Sequence, residues 1–404
     1  MTDILIIGGG LNGTALAIAL AQTGHSVKLL DNRPDEETPG PFDGRAYALA
    51  LASKRLLEAI GLWPHLAAEA QPINDIKVTD GRPGQGAAPW MLHFPSDDLG
   101  DEPMGFMIED RHLRHAVRSV IAELDGIEVL TGETVVDQSV DPGGVTVTTQ
   151  SGETHTARLV IGCDGRGSGT GKRAGLKRME WGYGQTALVC AVSHEAPHHG
   201  IAHQVFLPGG PLAILPLTGN RASIVWSEAD AVAKPLAAAD DETFLRAFRP
   251  RFGDFLGEIE LVGARHAFPL GLSLALSTVA ERVALVGDAA HGVHPIAGQG
   301  LNAGFKDIAA LVDVLAEARR RGEDIGSLAV LERYQRWRRF DTASLALATD
   351  AFNHLFSNDN PIIRAARDAG MAAVAALPGL RRGFVREAAG LTGDLPTLLS
   401  GRLP

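Results

Sequence analysis

Two glycine-rich segments, far apart in the chain, have residue types and spacings that can hold a dinucleotide. The first is Gly8-Gly9-Gly10-Leu11-Asn12-Gly13. It follows a short β-branched run, Ile4–Ile7, and opens an Ala- and Leu-rich stretch, Gly13–Thr23, that Gly24 closes. In that strand–turn–helix setting Gly8 allows the tight turn and Gly10 lets the backbone approach a pyrophosphate. Gly13 lets the helix pack on the strand. The helix start, with Asn12 in its first turn, offers free N–H groups and a partial positive charge to phosphates. Asp31, at the end of the next strand (Ser26–Leu30), can accept hydrogen bonds from ribose hydroxyls.

The second segment runs from Val283 to Asp307. An apolar strand, Val283–Val286, ends in Gly287-Asp288, where a carboxylate can reach a polyol. A turn at His294-Pro295 follows, then Gly298-Gln299-Gly300-Leu301-Asn302 leads into a helix. The start of that helix can face an electron-rich ring edge such as that of a reduced flavin. The first segment alone suits NAD or FAD; the second selects FAD.

These residues carry a resemblance. Gly287-Asp288 followed by Pro295 resembles the GD motif of the single-component flavoprotein aromatic hydroxylases, whose Asp binds the ribityl chain of FAD. The run His294–Asp307 resembles the signature of the ubiquinone-biosynthesis hydroxylases. Ile161-Gly162-Cys163-Asp164-Gly165-Arg166-Gly167-Ser168 is similar to the DG motif of the same hydroxylases, whose Asp serves FAD and the NAD(P)H pyrophosphate. The family's Arg after this motif is absent, since Gly171 stands there. By the same resemblance Arg45, at the start of an expected helix over Gly44–Gly61, lies near the FAD pyrophosphate. Arg111 likewise contacts the flavin.

The resemblance implies the chemistry. Reduced FAD adds O2 to form a C4a-hydroperoxide, and an oxygen passes to an electron-rich phenol. Electrons come from NAD(P)H or a reductase partner. The cofactor carries the hard chemistry, so no catalytic side chain is required. No Ser/His/Asp triad, HExxH or CxxC cluster is found, and no metal is expected. His291 and His294 flank the flavin loop and are read as positioning it by hydrogen bonds. The substrate implied is a polyprenylated phenol of ubiquinone biosynthesis. The rivals are hydroxylation of a small soluble aromatic compound, flavin-dependent reduction of isoprenoid double bonds, and an FAD-holding scaffold.

Composition frames this. The net charge of −11 over 404 residues argues against nucleic-acid binding. Two cysteines outside any CxxC pair suit a reducing compartment. The start lacks a signal peptide and no apolar run is long enough to span a membrane, so a cytoplasmic protein is expected. Residues 361–390 hold Arg364, Arg367, Arg381, Arg382 and Arg386 among apolar residues. That stretch suits contact with the inner membrane surface or with a multiprotein ubiquinone-synthesis complex. The strand–helix alternation gives an α/β fold. A Rossmann-like FAD-binding domain is assembled from residues 1–70, 106–178 and 277–345. An inserted antiparallel-sheet substrate-binding domain takes 71–105 and 179–276, and 346–404 forms a C-terminal helical segment. Ala213–Leu217 and Ala267–Leu276 are candidates to line an apolar tunnel.

Overall fold

The computed structural model describes residues 1–34, 40–84, 86–100, 102–293, 298–356, 370, 374 and 376–404. Its first strand, Thr2–Ile7, lies at the heart of a parallel sheet. It pairs with Val27–Asp31 on one side and Thr154–Gly162 on the other. Ile127–Thr131 and Val283–Leu285 extend the sheet outward. A near-continuous apolar run is what a strand covered on both faces needs. Ile4 and Ile6 point into one core with helices Leu11–Gln22, Asp110–Glu123 and Gln299–Arg320. Leu5 and Ile7 point the other way, onto Val145 and Val147 of the hairpin Val135–Asp141/Gly144–Thr149.

A second sheet of eight strands is built around Arg178–His194, which lies between Ile259–Ala275 and Arg221–Ala229. It is antiparallel except where Ile201–Leu207 runs parallel to Asp75–Arg82. Trp226, Phe244, Phe248 and Phe252 cover one of its faces, the three phenylalanines coming from helix Asp241–Phe252. The strands Asp75–Arg82 and Gly86–Pro95 bring the proline-rich stretch after residue 70 into this sheet.

The helix expected over Gly44–Gly61 begins only at Leu51 and ends at Ala59. Ala46–Ala50 is a strand, antiparallel to Gly105–Glu109, which also carries Gln71–Ile73. The stretch Ala-Tyr-Ala-Leu-Ala has no period that excludes either form, so pairing with a neighbour decides. Gly105 permits that pairing, because a Cβ there would collide with the Leu49 carbonyl. Arg45 therefore precedes a strand rather than opening a helix.

Candidate functional site

The glycine loop is shaped by close approach. Gly8 has φ +106°, and a Cβ on it would lie 2.5 Å from the Cys163 carbonyl. A Cβ on Gly13 would overlap the Gly8 carbonyl, whereas one on Gly10 would meet open space. Gly10 is the N-cap of helix Leu11–Gln22 and supplies no side chain to its first amides. Those amides are left for a ligand. Asp31 is buried at the C-terminal end of its strand, with Arg33 2.6 Å away. Burial alone would raise its carboxyl; the hydrogen bonds and charge of Arg33 outweigh this and hold it below the ordinary carboxylate value.

The second segment meets the first through Asn12. A Cβ on Gly287 or Gly304 would collide with the Asn12 side chain, so glycine at both positions is what lets Asn12 lie between them. The Asn12 Oδ1 is buried without a hydrogen-bond partner among the described residues. Gly287, at φ +62°, turns the chain so that Asp288 faces outward with its side chain 45% exposed. Gly298 caps helix Gln299–Arg320 in the left-handed region and also offers no side-chain cap. Gly10 and Gly298 thus leave two uncapped helix starts bordering one space. His294 and Pro295 lie outside the described residues.

Asn302 borders the cavity at this helix start. Its side chain ties the helix start to the strand Ala46–Ala50. Oδ1 accepts from Ala50 N at 2.9 Å and Ser53 Oγ at 2.7 Å. Nδ2 donates to Ala48 O at 2.9 Å and Gly298 O at 3.1 Å. One turn further, the fully buried Asp307 accepts from Gly287 N at 3.0 Å and Arg338 Nε at 2.8 Å, and pairs with His291 Nε2 at 2.6 Å. Burial alone would raise the Asp307 carboxyl and lower the His291 ring. Their mutual attraction instead raises His291, against the opposing charge of Arg338, and together with Arg338 lowers Asp307. His291 therefore holds the loop from behind rather than facing the cavity.

Of the remaining expected site residues, one borders the cavity and two do not. Arg45 borders the cavity, paired to Asp43 at 2.6 Å and Asp110 at 3.1 Å. Arg111 does not border it: Glu109 holds its Nε at 2.7 Å, and its guanidinium lies over Phe42. Arg114 reaches the cavity instead, with its Nε 2.6 Å from Asp110. The signal was present in the sequence as an Asp110/Arg114 pair at i,i+4. Asp164 points inward, accepting from Ser168 Oγ at 2.5 Å and from Thr170 N and Oγ1 at 2.9 Å each. It caps the turn into Gly169–Arg173, and Cys163 and Arg166 present the motif to the cavity in its place.

The cavity itself is about 1980 Å³. Ordinary small-molecule sites occupy roughly 300–1,000 Å³, so there is room for a dinucleotide and a second ligand. At one end it is bordered by Gly10–Asn12, Arg45, Arg114, Asp288 and Gly298–Asn302. The other end is apolar, with Leu92, Phe94, Phe206, Leu215, Phe268 and Leu270. Both tunnel candidates thus contribute to the wall. Sequence reasoning missed the third wall, from Trp337 and Phe340 through Phe352 on helix Leu328–Phe356 and Phe384 on helix Pro378–Ala388.

The donor set fits FAD: two uncapped helix starts for phosphate and ring edge, cations at Arg45 and Arg114, and Asp288 and the unsatisfied Asn12 Oδ1 for hydroxyls. Residues 1–345 match the FAD binding domain family. The chain is 43% identical to ubiquinone hydroxylase UbiL of Rhodospirillum rubrum, over 99% of this chain and 93% of that protein. It is 32% identical to the 3-demethoxyubiquinol 3-hydroxylase of Escherichia coli K12, over 96% of this chain and 99% of that protein. It is 31% identical to human mitochondrial ubiquinone biosynthesis monooxygenase COQ6, over 89% and 87%. Among solved structures, p-nitrophenol 4-monooxygenase PnpA from Pseudomonas putida DLL-E4 superimposes with a TM-score of 0.81. That match has 20% identity and covers 98% of this chain and 99% of that one. The fold is that of the FAD-binding monooxygenases. Within it, this chain belongs to the family of the ubiquinone hydroxylases.

Proposed function

We propose that this protein is an FAD-dependent monooxygenase that hydroxylates the aromatic ring of a polyprenylated phenol in ubiquinone biosynthesis. The observation that carries the reading is the continuity of the cavity. Asp288 and Gly298–Leu301 border the same cavity as the apolar side chains of Leu92, Phe94, Phe206, Leu215, Phe268 and Leu270. Bound FAD would supply electron transfer and oxygen activation, with O2 as co-substrate and electrons from NAD(P)H or a reductase.

The chain's own residues bind, orient and exclude water. The amides of Leu11, Asn12 and Gly13 receive the pyrophosphate, with Arg45 and Arg114 adding charge; Asp31 takes the ribose. Asp288 and Asn12 hold the ribityl hydroxyls. The helix start at Gly298–Leu301 would face the electron-rich edge of the ring, where its dipole favours negative charge. Asn302, Asp307 and His291 keep that helix start in place. Leu92, Phe206, Leu215 and Phe268 keep the reacting ring dry. In this reading residues 1–70, 106–178 and 277–345 bind FAD. Residues 71–105 and 179–276 bind substrate, and 346–404 form the C-terminal helical segment, from which Ala348, Phe352 and Phe384 border the cavity. The protein works in the cytoplasm with a peripheral contact through its C-terminal region. Supporting that contact, Arg382 and Arg386 are exposed on helix Pro378–Ala388; residues 361–369 lie outside the described residues. No described helix is long and apolar enough to cross a membrane.

The test is turnover under ¹⁸O2 of the FAD-loaded protein with a prenylated phenol and a supply of reductant. One labelled oxygen in the ring product is expected. Reduction of the prenyl chain without O2, or turnover confined to small aromatic acids, would overturn the reading.

A further inference from the structure

The sheet built around Arg178–His194 turns one face to the cavity, and that face is apolar at Ile76, Val78, Ala213, Leu215 and Val225. Strand Ile201–Leu207 joins it. Ala202, Gln204 and Phe206 share the cavity face, as the period of two in a strand requires. His203 between them turns the other way, with its ring 4.6 Å from that of Phe255. Phe255 in turn stacks on Phe252, at the end of the helix that covers the opposite face. Gln204 stands across from Val78 on one neighbouring strand and Ala213 on the other. Among the described residues it is the one polar side chain that this face presents to the cavity.

The Gln204 amide is held at one end. Its Nε2 donates to the Leu212 carbonyl at 3.3 Å across the strand pair. A carbonyl only accepts, so this contact turns the NH2 group toward Leu212 and leaves Oε1 as an open acceptor. No described residue donates to Oε1. A ligand that fills the apolar end displaces water from it. Oε1 then becomes a buried acceptor without a donor, which is unfavourable unless the ligand brings one. A phenol O–H, which keeps its proton up to about pH 10, is such a donor. The other polar side chains bordering the cavity lie elsewhere: Arg45, Arg114 and Asp288 at the dinucleotide end, and Asp341 and Ser344 exposed on helix Leu328–Phe356.

We propose that Gln204 is a specificity-determining residue: its Oε1 accepts a hydrogen bond from the ring hydroxyl of the substrate and so fixes which ring carbon is turned toward the flavin. The inference rests on the prenylated-phenol reading for the identity of that hydroxyl. The position suits the role. A Cβ on Gly298, at the flavin helix start, would stand 3.1 Å from the Ala48 side chain. Ala48 packs in one apolar cluster with Ala202 and Leu215. The sheet face that carries Gln204 therefore packs against the very strand to which Asn302 ties the flavin helix start. A few placed polar groups orient a ligand in a mostly apolar site, while the apolar walls supply contact area. Here the polar group is a single amide, so removing it frees the ring to turn.

The experiment is a binding cycle on the FAD-loaded full chain without reductant, read from the change in flavin absorbance. A short-chain prenylphenol, and the same prenylbenzene lacking the hydroxyl, are titrated into the parent, Gln204→Met and Gln204→Ala. The parent's preference for the phenol should fall by about 5- to 10-fold in each variant, the size of one neutral hydrogen bond. FAD content should match the parent, with the melting temperature within about 2 °C; if one variant fails to load FAD, the other carries the cycle. With reductant and O2 the parent should give one hydroxylated isomer and the variants a mixture. A phenol preference unchanged in the variants overturns the proposal. So does an equal loss of affinity for both ligands, which would make Gln204 a structural part of the wall. The two readings fail separately. Ring hydroxylation by the parent with an unchanged preference in the variants sinks the role of Gln204 alone. The expected loss of preference with no ring hydroxylation by the parent sinks the activity alone.

Discussion

Replacing Asn302 with alanine tests what orders the helix start under the flavin ring. The side chain is 2% exposed and makes hydrogen bonds to Ala50, Ser53, Ala48 and Gly298. The Ser53 hydroxyl can rotate to another acceptor. The Ala50 amide and the carbonyls of Ala48 and Gly298 cannot. Each buried group left unmade costs about 1–1.5 kcal/mol or somewhat more, so the variant should lose about 3–5 kcal/mol. For a protein of this size that is a fall of about 4–6 °C in the apoprotein melting temperature. FAD affinity should fall only by the part of that cost that binding has to restore, about 10-fold for about 1.4 kcal/mol. Differential scanning fluorimetry of the apoprotein and a flavin-fluorescence titration read the two effects separately. A variant whose apoprotein melts with the parent while FAD affinity collapses would refute the reasoning. It would make Asn302 a direct ligand of the cofactor rather than a brace.

Further outcomes follow from the same geometry. Gly10→Ala, in open space, should leave the apoprotein melting temperature unchanged but weaken FAD by about 10-fold or more, because the methyl stands where the pyrophosphate must approach; equilibrium dialysis with FAD would reveal it. Asp288→Asn should show the same separation, with about a 10-fold loss of affinity from one weakened hydroxyl contact. Arg114→Ala should weaken FAD more than Arg111→Ala, and the reverse order in parallel titrations would return the pyrophosphate contact to Arg111. The His291 ring is raised above its ordinary 6.5, so its contribution is full below that pH and is lost as pH rises through the raised value. Asp307 is held below its ordinary 3.8, so its contribution is present above that pH and fades as pH falls through the lowered value. His291→Gln should therefore flatten the decline in melting temperature above pH 6.5 and leave the acid limb in place, and an unchanged alkaline limb would argue against the pair.

Local shape was legible where glycine and burial act alone. The turn at Gly8, the packing at Gly13, the strand Ile4–Ile7 and the outward Asp288 all follow from short-range sterics and a period of two or less. Relations across the chain were not. Ala46–Ala50 became a strand because Gly105–Glu109 was available to pair with it. Arg111 and Arg114 are one turn apart on the same helix, and Glu109 on the preceding strand decided which one reaches the cavity. Asp164 resembles a ligand in sequence, yet Ser168 and Thr170 occupy both of its oxygens. Asn302 looked like part of a flavin loop, and its partners Ala48 and Ala50 are some 250 residues away. The expected tunnel strands do border the cavity, but nothing in their sequence could announce that helix Leu328–Phe356 supplies the remaining wall.

The wedge of Asn12 between Gly287 and Gly304 has a consequence for biosynthesis. The first half of the clasp leaves the ribosome early, and the second must wait for nearly three hundred more residues. At roughly 5–20 residues per second, that interval is about 15–60 s. Through it the loop at Gly8–Gly13 has a glycine-lined gap where its partner belongs, and the Thr2–Ile7 strand lacks Thr154–Gly162 for the first half of the wait. Capture of the flavin is thus a late event, coupled to completion of the chain. A nascent polypeptide stalled before Asp307 emerges should retain no FAD, and one released at full length should take it up without any further change in sequence.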